Sequence, residues 1–369
     1  MPKESRAFLA AIALFALCTG WVFFGMPVTA AEWQGLPSQF QMSFQLLPAR
    51  AVRVLKLFHT QATMEKQMMK LYDDALVSLP LEDYLVGVLA EEMPASYHME
   101  ALKAQAVAAR TRLRTGCDKH PEADACADYA HCQGYLGNAG QQAKWGAEYA
   151  VYHARLQKAV SDTAGEIITY EGTPITVLYH AVSGGFTEDA KAVFGGEVPY
   201  LKGVESKGEE GVSKFETTQS FTNANAAALL NAAFPNAHLS AEWLPIQLMP
   251  LSFSDSGRVA LLQLGDTVIT GRELRQALNL NSTLFSVQFT DSNVAFSQKG
   301  YGHGVGMSQA GANAMAAKGH TYAAILSHYF QGTALLNQNE TAAFGDAEYD
   351  ASQKEDFHDE LEGKASAVT

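Results

Sequence analysis

Between Arg6 and Glu32 lies a run of 25 residues, Ala7–Ala31, without a charged side chain. At about 1.5 Å per residue, a helix of that length exceeds the roughly 30 Å hydrocarbon core of a bilayer. Lys3 and Arg6 precede the run, and the next basic residue is Arg50. The positive-inside rule then puts residues 1–6 in the cytosol and the bulk of the chain outside it. A cleaved signal peptide ending near Val28-Thr29-Ala30 is the other reading. The length of the run favours an uncleaved transmembrane anchor over 7–31, and both readings give an extracytoplasmic working domain.

At 369 residues and 47% hydrophobic, the chain has the material for a large core. Its formal charge of -13 argues against nucleic acid as a partner. That charge is unevenly placed. From Glu340 onward nine acids face only Lys354 and Lys364, which accounts for -7 of the total. Segment 336–369 has little apolar content and no periodicity, so it is expected to be an acidic, disordered tail.

Segment 32–75 is mixed in pattern and reads as a stalk or a first strand. Beyond it the periodicity sharpens. Pro80 marks a helix start, and Leu81, Tyr84, Leu85, Val88 and Leu89 form one apolar stripe that Pro94 closes. Ser96 is positioned to cap a second, alanine-rich helix over 99–114. Residues 167–170 and 173–182 read as a hairpin about Glu171-Gly172. Further short strands are expected over 258–264, 267–270, 284–290 and 294–298, with helices over 271–280, 308–318 and 321–330. Helices flanking mostly antiparallel short strands define an α+β class, with a single extracytoplasmic catalytic domain over 76–335.

Three groups of residues carry chemistry. Continuing the apolar stripe by one turn reaches Glu92, whereas Glu91 is rotated about 100° away. Glu92 therefore faces the packed side, where desolvation raises a carboxyl pKa toward the range of a general acid. Spacing alone also permits a plain ion pair between Glu92 and a base such as Arg110. In the second group, His120, Cys126, His131 and Cys132 offer two imidazoles and two thiols, the donor set of a closed, structural zinc site. A Cys126–Cys132 disulfide is the alternative there. Cys18 falls in the apolar run, and Cys117 leaves an odd number of remaining cysteines. The third group is Gly300-Tyr301-Gly302-His303-Gly304-Val305-Gly306, whose glycines can present Tyr301 and His303 at a surface. Ser183-Gly184-Gly185 is a second loop of this kind. No lysine follows as in a phosphate loop, and no serine-hydrolase elbow is present.

Four stretches together resemble the family of stage II sporulation protein D, which also holds the amidase-enhancer proteins. They are Tyr84–Thr111 (YLVGVLAEEMPASYHMEALKAQAVAART), Val182–Thr187 with Pro199-Tyr200-Leu201, Gly257–Ser282, and Gly300–Thr333 (GYGHGVGMSQAGANAMAAKGHTYAAILSHYFQGT). The resemblance covers about residues 75–335. It implies a lytic transglycosylase of peptidoglycan whose acid and base is the Glu before Met-Pro, here Glu92. It also implies zinc on His120, Cys126, His131 and Cys132, with Cys117 outside that pattern. Ser183, Tyr301 and His303 are expected to line the glycan cleft. The implied setting is forespore engulfment, between the mother cell and forespore membranes, beside other membrane-anchored sporulation cell-wall proteins. The amidase-enhancer branch implies a rival role, that of a non-catalytic wall-binding activator of a cell-wall amidase. A zinc amidase is disfavoured, because four protein ligands leave the metal no open position.

Overall fold

The computed structural model describes residues 68–116, 119–129 and 131–338. The run 7–31 with Cys18, segment 32–67, Cys117 and the tail from residue 339 lie outside them. Among the described residues no helix is long and apolar enough to cross a membrane.

The architecture is α+β with short, mostly antiparallel strands. It opens with a hairpin, β1 (Met68–Asp73) and β2 (Ala75–Pro80), which feeds α1 (Leu81–Glu92) through Pro80. Glu82 and Asp83 lie in the first turn of α1, where the helix dipole favours acids. After α2 (Met99–Arg112), β3 (Ala125–Cys126) lies parallel to β1, with Tyr72 opposite Cys126. Next come α3 (Asn138–Trp145), α4 (Tyr149–Asp162), β4 (Glu166–Tyr170), β5 (Thr173–Pro174), β6 (Tyr179–His180) and the short α5 (Ala190–Phe194).

Residues 216–299 build a lobe with its own core. It contains β7 (Glu216–Thr222), α6 (Asn223–Ala233), α7 (Leu244–Gln247), β8 (Leu248–Phe253), β9 (Val259–Leu264), β10 (Thr267–Thr270), α8 (Gly271–Leu278), β11 (Phe285–Phe289) and β12 (Asn293–Lys299). Leu230, Leu244, Leu262, Leu274 and Phe296 are packed inside it. The chain then returns to the first core through β13 (Met307–Ser308), α9 (Gln309–Ala317), α10 (Tyr322–Tyr329) and β14 (Ala334–Asn337). β14 pairs with β4, and β13 pairs in parallel with β6.

The first core closes around α1 and α2. Every residue of α1 from Tyr84 to Ala90 is buried, so this helix is enclosed on nearly all sides and is not amphipathic. Ala101, Ala104, Ala106, Ala108 and Ala109 of α2 let neighbouring helices approach closely. Two sequence expectations are corrected. Ser96 does not cap α2: His98 holds that position, and its N–H donates to Asn313 Oδ1 at 2.8 Å. The hairpin after Ile167 is short: it pairs at Thr169–Pro174 and Tyr170–Thr173, and the Ile175 N–H donates to the Ile168 carbonyl. The residues after Ile175 leave that sheet so that β6 can join β13.

Arg110 is buried in α2 and does not meet Glu92. Its Nη2 and Nε donate to Glu82 at 2.6 and 3.1 Å, and its guanidinium also reaches the carbonyls of Val160 and Glu166. One side chain thus ties α1, α4 and β4 to α2. Arg110→Met leaves the partly buried Glu82 carboxylate without this donor and removes one bond each from the Val160 and Glu166 carbonyls. We expect a loss of about 2–3 kcal/mol in urea unfolding at constant m-value; a loss below about 1 kcal/mol would show that the tie is dispensable.

Candidate active site

Glu92 stands where α1 ends. Met93 has extended backbone, so the helix stops there and the Glu92 carboxyl emerges from the first core half-buried, while Glu91 is exposed. Segment 133–136 lies across the helix. Gly87 makes that approach possible, because a Cβ there would stand 2.2 Å from the Tyr135 ring. The Leu136 N–H donates to the Gly87 carbonyl at 3.1 Å, and Tyr135 stacks on Tyr84. The result is a backbone amide aimed at the acid: Gly134 N–H donates to Glu92 Oε1 at 2.7 Å. A Cβ on Gly134 would come within 2.8 Å of Glu91 Cγ and 3.2 Å of Glu92 Oε1.

Burial pushes the Glu92 carboxyl up to about 7, and the charge of Glu91 adds to the rise. The Gly134 amide and Lys144 oppose it without cancelling it. Lys144 itself is occupied by the Ala90 carbonyl at 2.8 Å and Glu91 Oε2 at 3.5 Å. The ion pair with Arg110 that spacing permitted is not made, since Arg110 is committed to Glu82. Glu92 is thus a carboxyl that can hold its proton near neutrality and release it there.

Tyr179 and Gln133 connect the segment beside Glu92 to the glycine-histidine loop. The Tyr179 hydroxyl donates to Gln133 Oε1 at 3.0 Å, and Gln133 Nε2 donates to the Ala109 carbonyl. Burial, followed by the charge of Glu92, holds the Tyr179 hydroxyl well above its ordinary range, so it remains a donor. On its backbone side, the Tyr179 carbonyl accepts from His303 Nε2 at 3.1 Å. Val305 N–H donates to His303 Nδ1, which fixes the neutral Nε2–H tautomer. Burial and the nearby Arg275 pull this imidazole down to about 4. Tyr301 is half-buried, pairs with Val182, and carries Lys214 Nζ over its ring at 3.7 Å. Ser183 lies deeper than expected. It is fully buried, and its hydroxyl bonds Glu209 at 2.9 Å, so that side chain faces inward.

Cys126, His131 and Cys132 converge, with their donor atoms within 4.8 Å of one another. His131 Nδ1 stands 3.5 Å from Cys126 Sγ and 3.3 Å from Cys132 Sγ. No disulfide joins Cys126 to Cys132. His120 is not part of that convergence. Its ring stacks on Tyr72 at 3.7 Å, and Tyr72 faces Cys126 across the β1–β3 pairing. Two sulfurs and an imidazole nitrogen at these separations suit three corners of a tetrahedral zinc ion. Sequence reasoning missed Gln133, Gly134, Tyr179, Glu188, Glu209 and Arg258. Gly134 had a readable signal beside Cys132. Glu209 had none, because an acid in a loop is ordinarily solvated.

A family model described as "Stage II sporulation protein" matches residues 73–170, which hold Glu92, Gly134 and the thiol cluster. The chain is 33% identical over 267 residues to stage II sporulation protein D of Bacillus subtilis (strain 168), covering 71% of this chain and 76% of that protein. It is 33% identical over 260 residues to stage II sporulation protein D of Bacillus amyloliquefaciens, covering 69% of this chain and 74% of that protein. It is also 32% identical over 302 residues to the amidase enhancer of Bacillus subtilis (strain 168), covering 69% of this chain but 40% of that protein.

The raised carboxyl makes stability depend on pH. A carboxyl that titrates near 4.5 in the unfolded chain and at about 7 in the native state keeps a proton that unfolding releases. Its stabilising contribution is complete below 4.5 and is lost as pH rises through 7. Glu92→Gln removes the titration. Between pH 5 and pH 8 the wild type is expected to lose on the order of 1–3 kcal/mol more than Glu92→Gln, measured by urea midpoints. Parallel pH profiles for the two proteins would show that Glu92 is not desolvated.

Proposed function

The chain belongs to the family of stage II sporulation protein D, and from that premise we propose that it is a lytic transglycosylase of peptidoglycan with Glu92 as both acid and base. Its work is then cell-wall remodelling in sporulation. The observation that carries the reading is the partly buried Glu92 carboxyl at the end of α1, raised to about 7 and held by the Gly134 amide, while its neighbour Glu91 is exposed. Ordinary glycosidases use two carboxylates across the scissile bond. One suffices when the attacking nucleophile belongs to the substrate.

In this mechanism protonated Glu92 gives its proton to the glycosidic oxygen between N-acetylmuramic acid and N-acetylglucosamine. The bond from C1 to that oxygen breaks, and the departing sugar leaves as an alcohol. The Glu92 carboxylate then takes the proton of the muramyl C6 hydroxyl while that oxygen bonds to C1. The product is a 1,6-anhydromuramic end, and Glu92 is protonated again. An intramolecular nucleophile gains from proximity and needs no activated water. Gly134 N–H favours the carboxylate between the two steps, and Tyr179 keeps a neutral hydroxyl nearby. In this reading the loop of Tyr301 and His303 borders the glycan, with His303 holding that loop through its two backbone bonds, and Ser183 contributes backbone in place of its hydroxyl.

The donor chemistry of Cys126, His131 and Cys132 suits a structural zinc, for which the family resemblance supplies His120 as the fourth ligand. When bound, the metal would cross-link the β3 region to the segment that carries Gly134, a role in stability. The charge-free run 7–31 would anchor the protein in the membrane with this domain outside the cytosol, in the space between mother cell and forespore membranes during engulfment. The likeness to the amidase enhancer supports a second reading, a wall-binding activator without glycosidic activity of its own.

The deciding measurement is digestion of glycan strands by the full chain, with products read by mass spectrometry. We expect 1,6-anhydromuramic ends from the wild type, at a rate that falls as pH rises above about 7 because the acid form is lost, and none from Glu92→Gln. Reducing muramic ends would replace transglycosylation with hydrolysis. No products from the wild type, together with stimulation of an added amidase, would establish the activator. Chelation of the purified protein is expected to release about one zinc per chain and to lower the melting temperature by several degrees. A metal-free preparation with the same melting temperature would remove zinc from the account.

A further inference from the structure

The loop Ser183-Gly184-Gly185 is gripped from both sides by buried charged side chains that the chemistry above does not use. On one side lies Glu209, fully buried. Its Oε2 accepts the N–H of Ser183 at 3.0 Å and of Gly184 at 2.9 Å. The hydroxyls of Ser183, Ser206 and Ser308 also donate to Glu209, and Ser206 meets the Tyr329 hydroxyl in turn. Every group facing this carboxyl is a donor, the arrangement an ionised carboxylate requires.

On the other side lies Arg258, 3% exposed, which enters from the 216–299 lobe. Its Nη2 donates to the Ser183 carbonyl at 2.6 Å and its Nη1 to the Phe186 carbonyl at 3.0 Å. Nη1 also donates to Ser256 Oγ at 2.8 Å, and Ser256 donates to Glu188 Oε2 at 2.8 Å, so the positive charge is tied back to a buried acid. Gly304 of the glycine-histidine loop lies against the guanidinium, where a Cβ would stand 2.8 Å from Cζ. Arg258 therefore sets both glycine loops at once.

The gripped loop turns an open face outward. Gly184 and Gly185 have φ of 82° and 108°, and the position a Gly185 Cβ would occupy has nothing within 4 Å. The Gly185 carbonyl accepts from the Ser206 N–H, and the carbonyls of Ser183 and Phe186 go to Arg258. Of the four carbonyls from Ser183 to Phe186, that of Gly184 alone has no hydrogen-bond partner among the described residues, although its Cα packs against Lys299 and Leu284.

Resting on the reading that the site binds wall glycan, we propose that Glu209 and Arg258 are positioning residues. Together they form a clamp, amides to the acid and carbonyls to the base, that holds the Ser183–Gly185 backbone as a docking edge for the hydroxyl and N-acetyl N–H donors of the glycan. The lobe thereby takes part in substrate binding through Arg258, without contributing a catalytic residue.

The test uses the full chain carrying Arg258→Lys, which keeps the charge but cannot span two carbonyls. We expect KM for glycan, and Kd for purified wall sacculi by co-sedimentation, to rise at least about tenfold while kcat stays within about threefold. Amide hydrogen exchange of the peptide covering 183–186 should quicken selectively, and the fall in rate above pH 7 set by Glu92 should stay in place. A folded Arg258→Lys protein with unchanged affinity, or with kcat lowered at constant KM, overturns the clamp. Should that variant fail to fold, Ser256→Ala decides, because it removes only the bridge to Glu188. A weaker rise in Kd of the same kind, about threefold, supports the clamp, and wild-type affinity overturns it. The affinity measurement separates this proposal from the reaction. A wild type that binds sacculi without making anhydromuramic ends overturns transglycosylation alone, and the shift in Kd still judges the clamp.

Discussion

The Glu92 carboxyl depends on the burial of the helix that carries it. Because α1 is enclosed from Tyr84 to Ala90, it meets solvent only at its two ends, and its last turn holds the acid. Burial alone would strand a costly group. What makes the position tolerable and useful is one backbone amide, Gly134 N–H, delivered by a segment that can lie on the helix only because residue 87 has no side chain. Loss of either glycine would move the amide, and the acid would lose its partner without gaining another.

The same economy governs the other interior charges. Arg110, Arg258, Glu188 and Glu209 are all buried, and each is bonded to backbone as well as to side chains. A buried charge without such partners would cost several kcal/mol. Where the partners are backbone groups of loops, the charge also fixes those loops. Arg110 does this for the helical body around α1. Glu209 and Arg258 do it for the Ser-Gly-Gly turn, in which isolated glycines would otherwise be free to move.

Much of the site was legible along the chain. The stripe through Leu85 and Leu89 separated Glu92 from Glu91 because a helix converts spacing into direction. Cys126, His131 and Cys132 were readable as a group because local sequence keeps them close. The helix over 271–278 and the strands at 267–270 and 285–289 also fell where composition put them, since turn residues bound them closely. Other features were hidden. Helix α3 buries only Gln141 and so offers no apolar stripe to read, whereas α4 carries one through Tyr152, Leu156 and Val160 that was legible but overlooked. Ser183 read as a surface residue, but its hydroxyl turned inward because Glu209, 26 residues away, required a donor.

Sequence by itself determined the class of the fold, which of two adjacent acids turns toward the packed side, the nearness of Cys126, His131 and Cys132, and the family resemblance, because each is written in local spacing and residue chemistry. Only the tertiary structure decided which amide holds Glu92, that Arg110 serves Glu82 in its place, and that a lobe with a separate core reaches back to grip the Ser-Gly-Gly loop. Those contacts join residues 28 to 75 positions apart. Packing, and no local periodicity, brings such residues together.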